Sequence, residues 1–201
     1  MIFSENLLNW YDLNKRELPW RETKDPYTIW ISEIILQQTR VNQGLPYFYK
    51  FIKKFPTVFD LADAKEIEVL KLWQGLGYYS RARNLHSSAK YIVEEYNGCF
   101  PSSYENIFSL KGVGSYTAAA ISSFAFNLPY PVVDGNVVRV LSRVFGIEIP
   151  FNSSFGKKKF YDLANELIDK KKHFKYNQAI MDFGATFCTY KLPKCTECPF
   201  I

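Results

Sequence analysis

Helix start and stop signals recur along almost the whole of this 201-residue chain, and the alternating patterns of strands are nearly absent. The segment from Ser80 to Tyr96 is one example. It places Leu85, Ala89 and Ile92 on a single apolar stripe at helical spacing, and Gly98 follows as a stop signal. This pattern predicts an all-α protein.

Three further segments carry helix signals. Asp63 and Glu66 have the spacing of a capping box, which predicts a helix from there through Trp73. Asp134, followed by glycine and asparagine, is expected to start another helix, and residues 177–187 read as one more. Neither internal repeats nor low-complexity stretches interrupt the pattern.

Composition restricts the class of partner only modestly. The net charge of +5 favours an anionic partner, but many basic proteins bind no nucleic acid. No apolar run approaches the ~18 residues that a membrane span requires, so we expect no membrane partner. The N-terminus carries Glu5 and Asp12 within its apolar pattern, and it lacks the layout of an export signal. We therefore expect an intracellular protein.

The sharpest local motif runs from Leu110 to Gly114, between a short helix and a helix rich in small residues. Gly112 and Gly114 flank Val113 and permit a tight hairpin. Backbone N–H groups there, together with the N-terminus of the next helix, are suited to hold a phosphate. The alternative is an ordinary bend between two helices.

Two carboxylates are the candidate chemical groups. Glu33 lies within one helical turn of Ile29, Trp30 and Leu36, and desolvation there would raise the pKa of its carboxyl group. Glutamates inside helices are more often solvated, so this spacing alone does not decide its role. Asp134 is expected to cap the following helix, which is compatible with a catalytic role.

Several long strings around these residues resemble MutY-type adenine glycosylases of the endonuclease III, or helix-hairpin-helix, superfamily. The string S-E-x-x-L-Q-Q-T is unbroken from Ser32 to Thr39, and Leu18-Pro-Trp20-Arg21 precedes it at the family's spacing. Further strings begin at Phe55 and Trp73, and N-V-x-R-V follows Asp134. The resemblance runs from about Leu18 to Cys198.

The resemblance implies a two-lobed helical fold with DNA in the cleft between the lobes. Residues 18–129 would form a central bundle that contains the hairpin, and residues 1–17 with 130–201 would form the second lobe. It also implies a monomer that acts on double-stranded DNA containing an adenine mispair, in the bacterial cytoplasm near the nucleoid.

The resemblance also assigns roles to individual residues. Glu33 would protonate the adenine, Asp134 would face the sugar of the flipped nucleotide, and Tyr116 would lie near that sugar. The adenine pocket would be lined by Trp20, Arg21, Leu36, Thr39, Val41, Gln178 and Met181. The DNA would be contacted by Gln38, Tyr78, Gly112, Val113, Gly114 and Asn136.

Some of these roles compete with plainer interpretations. Leu36 and Val41 could equally be core residues, and Tyr116 could be a packing residue on its helix. Gln178 stands where some family members carry glutamate and others glutamine. Arg81 and Arg83 are interpreted as ordinary charges on a helix surface unless they face phosphate.

Position 116 separates two kinds of glycosylase. Enzymes that also nick the backbone carry there a lysine, which forms a Schiff base with the sugar. A phenol forms no imine, so Tyr116 predicts a monofunctional enzyme that leaves the strand intact.

Three cysteines lie close together near the C-terminus. By resemblance, Cys188, Cys195 and Cys198 correspond to three of the four ligands of a [4Fe–4S] cluster, with zinc as the alternative. The fourth ligand would fall at position 204, so we expect a cluster that is incomplete or absent. Cys99 is interpreted as a free cysteine. The domain that senses 8-oxoguanine in this family is also missing, which suggests a truncated chain.

Two other functions stay open at this point. One is an endonuclease III-like glycosylase for damaged pyrimidines, against which Tyr116 and the L-Q-Q-T string argue. The other is a DNA-binding module without catalysis, which the missing fourth cysteine favours.

Overall fold

The computed structural model describes residues 2–200, and all regular secondary structure within them is helical, which confirms the predicted class. Met1 and Ile201, the ends of the predicted second lobe, lie outside the described residues. None of the described helices is both long and apolar enough to cross a membrane. The α-helices are α1 (Ile2–Asn14), α2 (Pro26–Leu36), α3 (Val41–Lys54), α4 (Val58–Asp63), α5 (Glu66–Trp73), α6 (Ser80–Tyr96), α7 (Tyr104–Phe108), α8 (Ser115–Phe126), α9 (Gly135–Phe145), α10 (Ser154–Leu167) and α11 (His173–Asp182).

The chain divides into two compact units. The first unit is Leu18–Phe126 and contains α2 to α8. The second unit combines the segment up to Glu17 with the segment from Asn127 onwards, and it contains α1 and α9 to α11.

Most helix boundaries follow from local sequence signals. Helix α6 spans the predicted Ser80–Tyr96 and ends at Asn97, whose left-handed backbone (φ 51°) closes the last turn. Asp134 is the N-cap of α9, as predicted, and its side chain accepts a hydrogen bond from the amide of Val137. The helix expected at 177–187 begins earlier, at His173, and ends in a π-helical turn at Phe183–Phe187.

The capping box predicted at Asp63 is wrong. Asp63 is the last residue of α4, which starts earlier because Thr57 and Asp60 form their own capping box. Helix α5 then begins after Lys65, whose amide donates to the carboxylate of Glu68. The predicted end of α5 at Trp73 is confirmed.

The core of Leu18–Phe126 is built around α2, which packs against α3, α6 and α8. Every α2 residue from Ile29 to Ile35 is buried. Helix α8 contributes Ala118, Ala119 and Ala120, which are also buried, and their small side chains let the two helices approach closely.

The second unit packs α1 against α11 over its own apolar core. The segment after α1 is fastened to α11 by an ion pair whose carboxylate is buried. Asp182 is fully buried, and its carboxylate accepts from the backbone amide of Arg16 at 3.0 Å and pairs with the Arg16 guanidinium at 2.6 Å.

We predict that Ala120→Leu destabilises the chain. Ala120 has no exposed surface, so three added carbon atoms must displace its buried neighbours. The free energy of unfolding, measured by denaturant titration, should fall by about 1–3 kcal/mol. Ala125→Leu on the same helix is the control, because Ala125 is only partly buried. An equal effect of both changes would contradict this description of the core.

Candidate active site

Glu33 lies in the middle of α2 and is buried, with 6% of its surface exposed. The helix begins at Pro26 after an N-cap, Asp25, whose carboxylate accepts from the amides of Tyr27 and Thr28. The following turns are apolar and buried, so the chain carries Glu33 into the interior of its unit. The interpretation of Glu33 as a solvated surface residue is therefore wrong.

The loop after α2 presents one glutamine and anchors another. Gln38 is exposed, with a left-handed backbone (φ 56°). Gln37 turns the other way, and its Nε2 donates to the carbonyl of Gly112 at 3.3 Å and to the hydroxyl of Thr117 at 3.2 Å. Gln37, for which the sequence had suggested no role, therefore ties the end of α2 to the hairpin.

Tyr78 projects from the loop between α5 and α6, with 66% of its surface exposed. Its backbone is also left-handed (φ 46°), and two glycines with positive φ, Gly75 and Gly77, precede it. A left-handed conformation costs a residue other than glycine about 1–2 kcal/mol. Exposed side chains held in this conformation are typical of functional sites rather than of packing. The sequence prediction that Gln38 and Tyr78 contact DNA stays a prediction.

Arg81 is not the surface charge that its sequence had suggested. It is 9% exposed and donates to backbone carbonyls in the loops that carry Gln38 and Tyr78. Arg83 is exposed and pairs with Glu66 at 3.4 Å, as expected of a surface residue. A signal was present, because Arg81 lies four residues before Leu85 on the buried stripe of α6.

The glycine hairpin forms a tight turn between α7 and α8. Gly112 has a left-handed backbone (φ 80°), and the hydroxyl of Ser88 donates to the carbonyl of Lys111 at 3.1 Å. Val113 is buried, while Gly112 and Gly114 are exposed. Tyr116 is half-buried in the first turn of α8, at the helix end where backbone amides favour an anion.

Asp134 is held by donors on both carboxylate oxygens. Oδ1 accepts from the amide of Val137 and Oδ2 from the side chain of Asn136, each at 2.8 Å. Asn136 in turn accepts from Arg139 at 2.8 Å, and Arg139 donates to the carbonyl of Cys188 at 2.8 Å. These bonds and the helix N-terminus stabilise a negative charge at Asp134. The sequence had assigned no role to Arg139.

The predicted pocket residues are distributed over the two units. In the second unit the buried amide oxygen of Gln178 accepts from the hydroxyl of Tyr11 at 2.7 Å, and Met181 packs against the core. The adenine pocket as a whole stays a prediction. The members that belong to the first unit are Trp20, Arg21, Leu36, Thr39 and Val41.

The three C-terminal cysteines are free thiols in different surroundings. Cys188 is buried, and its sulfur accepts from Arg143 at 3.4 Å, whereas Cys195 is exposed and Cys198 is half-buried. Within residues 2–200 no three side chains of the kinds that bind metals are gathered into a metal site. Cys188, Cys195 and Cys198 as ligands of an iron–sulfur cluster stay a prediction from the resemblance.

Comparison with known families identifies the chain. Residues 31–153 match the model of the HhH-GPD superfamily base excision DNA repair proteins. The chain belongs to this superfamily. The matched region contains Glu33, the hairpin and Asp134, and the resemblance inferred from the sequence is confirmed at the level of the superfamily.

Curated relatives of this HhH-GPD protein are adenine DNA glycosylases. It is 46% identical to that of Buchnera aphidicola from Acyrthosiphon pisum, over 98% of this chain and 57% of that protein. It is also 46% identical to the Rattus norvegicus protein and 44% identical to the Homo sapiens protein, again over 98% of this chain. The chain spans 40% of the rat protein and 38% of the human protein.

Solved structures confirm the fold. A thermostable thymine-DNA glycosylase is 33% identical, with a TM-score of 0.90, and the match covers 98% of this chain and 91% of that one. Endonuclease III in a non-covalent DNA complex is 22% identical, with a TM-score of 0.84, over 98% of this chain and 89% of that one. The second likeness shows the fold alone.

We predict that Gly112→Ala destabilises the hairpin whereas Gly114→Ala does not. A Cβ atom at Gly112 would lie 2.9 Å from the Cβ of Asn84 and would occupy a left-handed backbone. The loss should be about 1–2 kcal/mol, measured by denaturant titration. A Cβ at Gly114 meets nothing within 4 Å, so that variant should be neutral or slightly more stable. Equal losses at the two positions would contradict this hairpin geometry.

Proposed function

We propose that this chain is a monofunctional DNA glycosylase that excises adenine mispaired with 8-oxoguanine or guanine in double-stranded DNA. The observation that carries the proposal is the burial of Glu33 on α2, within the unbroken Ser32–Thr39 string. The names of the curated relatives support the choice of adenine. These relatives are longer than this chain, so activity and substrate are both part of the proposal.

DNA binding is assigned to the hairpin and to the two exposed side chains. The amides around Gly112 and Gly114, with the N-terminus of α8, offer donors to a phosphate. An adenine inside a duplex hides its glycosidic bond, so the nucleotide must leave the base stack, and a mispaired base costs least to remove. The side chains of Gln38 and Tyr78 are both exposed. We propose that they enter the gap that the nucleotide leaves and hold it open.

The two carboxylates are proposed to take opposite roles. Glu33, in its buried setting, donates a proton to N7 of adenine, which makes the base a better leaving group as the C1′–N9 bond breaks. The carboxylate of Asp134, held by N–H donors, stabilises the positive charge that develops on the sugar, either by its field or as a transient covalent partner. Water then adds to C1′ and gives up one proton to the Glu33 carboxylate, which leaves an abasic site.

Tyr116 limits the reaction to base removal. Because a phenol forms no Schiff base, the sugar–phosphate backbone stays intact. Gln178 would read the adenine through its amide, which offers both a donor and an acceptor. Its oxygen already accepts from Tyr11, which restricts how the amide turns.

The first variant that tests the proposal is Glu33→Gln. The amide keeps size and polarity but delivers no proton, so single-turnover adenine excision should fall by a factor of at least ~100. Binding to the same duplex, measured by fluorescence anisotropy, should change less than about twofold. Glu94→Gln makes the same change of side chain at an exposed position of α6 and should leave both quantities unchanged. Lost binding with residual excision would count against Glu33 as the acid.

The second variant, Tyr116→Lys, tests the position of Tyr116. A lysine there places an amine beside C1′ as the base departs, so a Schiff base should form at C1′, and β-elimination from it should nick the strand. Borohydride should then trap a covalent protein–DNA adduct on adenine-mismatch duplex, which the parent chain does not form.

Ser115→Lys is the matched control, because it adds the same charge in the same turn but at an exposed position. It should give no adduct. If Tyr116→Lys still excises adenine and traps nothing, Tyr116 is a packing residue and does not lie at the sugar.

A further inference from the structure

The guanidinium of Arg81 is buried among acceptors from two separate loops of the same unit. Its Nη2 atom donates to the carbonyl oxygens of Leu76 at 3.2 Å and Gly77 at 3.3 Å. Its Nη1 atom is surrounded by acceptors at the end of α2 and just beyond it. These are the carbonyl oxygens of Ile34 at 3.2 Å, Ile35 at 3.1 Å and Gln37, and the hydroxyl of Thr39 at 3.4 Å.

These acceptors lie next to the two exposed side chains of the candidate site. Gln37 and Thr39 flank Gln38 on either side, and Gly77 directly precedes Tyr78. Both Gln38 and Tyr78 have left-handed backbones, with φ of 56° and 46°. Such conformations persist only where the surroundings impose them. The Arg81 guanidinium makes hydrogen bonds to a neighbour of each, so it connects two strained positions through one rigid plane.

The charge of Arg81 is stabilised by dipoles and rings rather than by an acid. Within residues 2–200 no carboxylate forms an ion pair with it. The carbonyls at the C-terminus of α2 supply partial negative charge, and the guanidinium carbon lies 5.2 Å from the Trp73 ring centre and 5.7 Å from that of Tyr78. Burial lowers the pKa of Arg81. A buried cation is a costly way to fill space, whereas a planar fork of donors is suited to joining two loops.

We propose that Arg81 is a positioning residue that holds Gln38 and Tyr78 as one preorganised pair, so that both side chains enter the opened base stack together. This inference rests on the proposed function, because it assigns the pair to base opening. Arg81 itself touches no DNA in this account and acts through the two loops.

The first experiment needs no DNA. Amide hydrogen exchange is compared between the parent chain, Arg81→Lys and Arg83→Lys. Lysine keeps the charge but lacks the planar guanidinium that donates to both loops at once. Amide exchange at residues 37–39 and 76–78 should therefore become at least ~10-fold faster in Arg81→Lys. Arg83 lies two residues further along α6 and is exposed, so Arg83→Lys should exchange like the parent chain.

Two results would overturn the inference at this stage. One is that amide exchange at both loops is no faster in Arg81→Lys than in the parent chain. The other is a uniform increase over the whole of Leu18–Phe126, which would make Arg81 a general support of the fold. If Arg81→Lys does not fold, Arg81→Gln replaces it, because a neutral amide donates to one loop without leaving an unbalanced charge.

The second experiment measures base opening with 2-aminopurine beside an adenine·8-oxoguanine pair. Arg81→Lys should slow the rise in fluorescence by about tenfold, because Gln38 and Tyr78 would no longer be held in the geometry in which they enter the base stack. In a Gln38→Ala, Tyr78→Ala background, Arg81→Lys should add less than about twofold, since the residues through which it acts are gone.

The outcomes of this experiment separate the inference from the proposed function. If Arg81→Lys slows base opening as much in the Gln38→Ala, Tyr78→Ala background as in the parent chain, Arg81 acts elsewhere and the inference is overturned. A parent chain that neither opens nor excises the adenine pair would overturn the proposed function and with it the assignment of the pair to base opening. The exchange experiment would then still decide whether Arg81 fastens the two loops.

Discussion

The burial of α2 is the constraint on which the structure of Leu18–Phe126 depends. Its residues from Ile29 to Ile35 are all withdrawn from water, and α3, α6 and α8 pack around it. One carboxylate, Glu33, is carried inside with them. A carboxylate buried in the most apolar helix of the unit is a candidate for a chemical role, and the proposed proton donation rests on this burial. The end of this helix then leads directly into the loop that presents Gln38.

The two candidate carboxylates lie in opposite local environments, one apolar and one rich in hydrogen-bond donors. Glu33 sits in the middle of an apolar helix, whereas Asp134 sits at a helix start, where amides and the side chain of Asn136 donate to it. An environment of apolar side chains suits a proton donor, and an environment of N–H donors suits an anion. This contrast supports the assignment of acid to Glu33 and of charge stabilisation to Asp134. Both environments are set by helices, by the interior of α2 for Glu33 and by the start of α9 for Asp134.

Much of this organisation could be predicted from the sequence, because it depends on local signals. The stripe of α6, the cap at Asp134 and the glycine hairpin were all readable from spacing and residue type. The start of α5 was not, because Thr57 and Asp60 formed a competing capping box one helix earlier. The role of Arg81 was missed for a different reason. Most of its acceptors are backbone carbonyls, up to 47 residues away, and no side-chain pattern records them. The iron–sulfur ligands and the adenine pocket rest on the resemblance and stay predictions.

The central claim, that this chain removes adenine, is tested most directly by identifying the base that it releases. Under single-turnover conditions it would be given separate duplexes with adenine opposite 8-oxoguanine, guanine or cytosine, thymine opposite guanine, and an oxidised pyrimidine opposite adenine. Mass spectrometry would identify the free base, and alkali would reveal abasic sites. We expect free adenine from the 8-oxoguanine and guanine duplexes, with the strand intact until alkali is added. Release of thymine or of the oxidised pyrimidine, or binding without release of any base, would contradict the account.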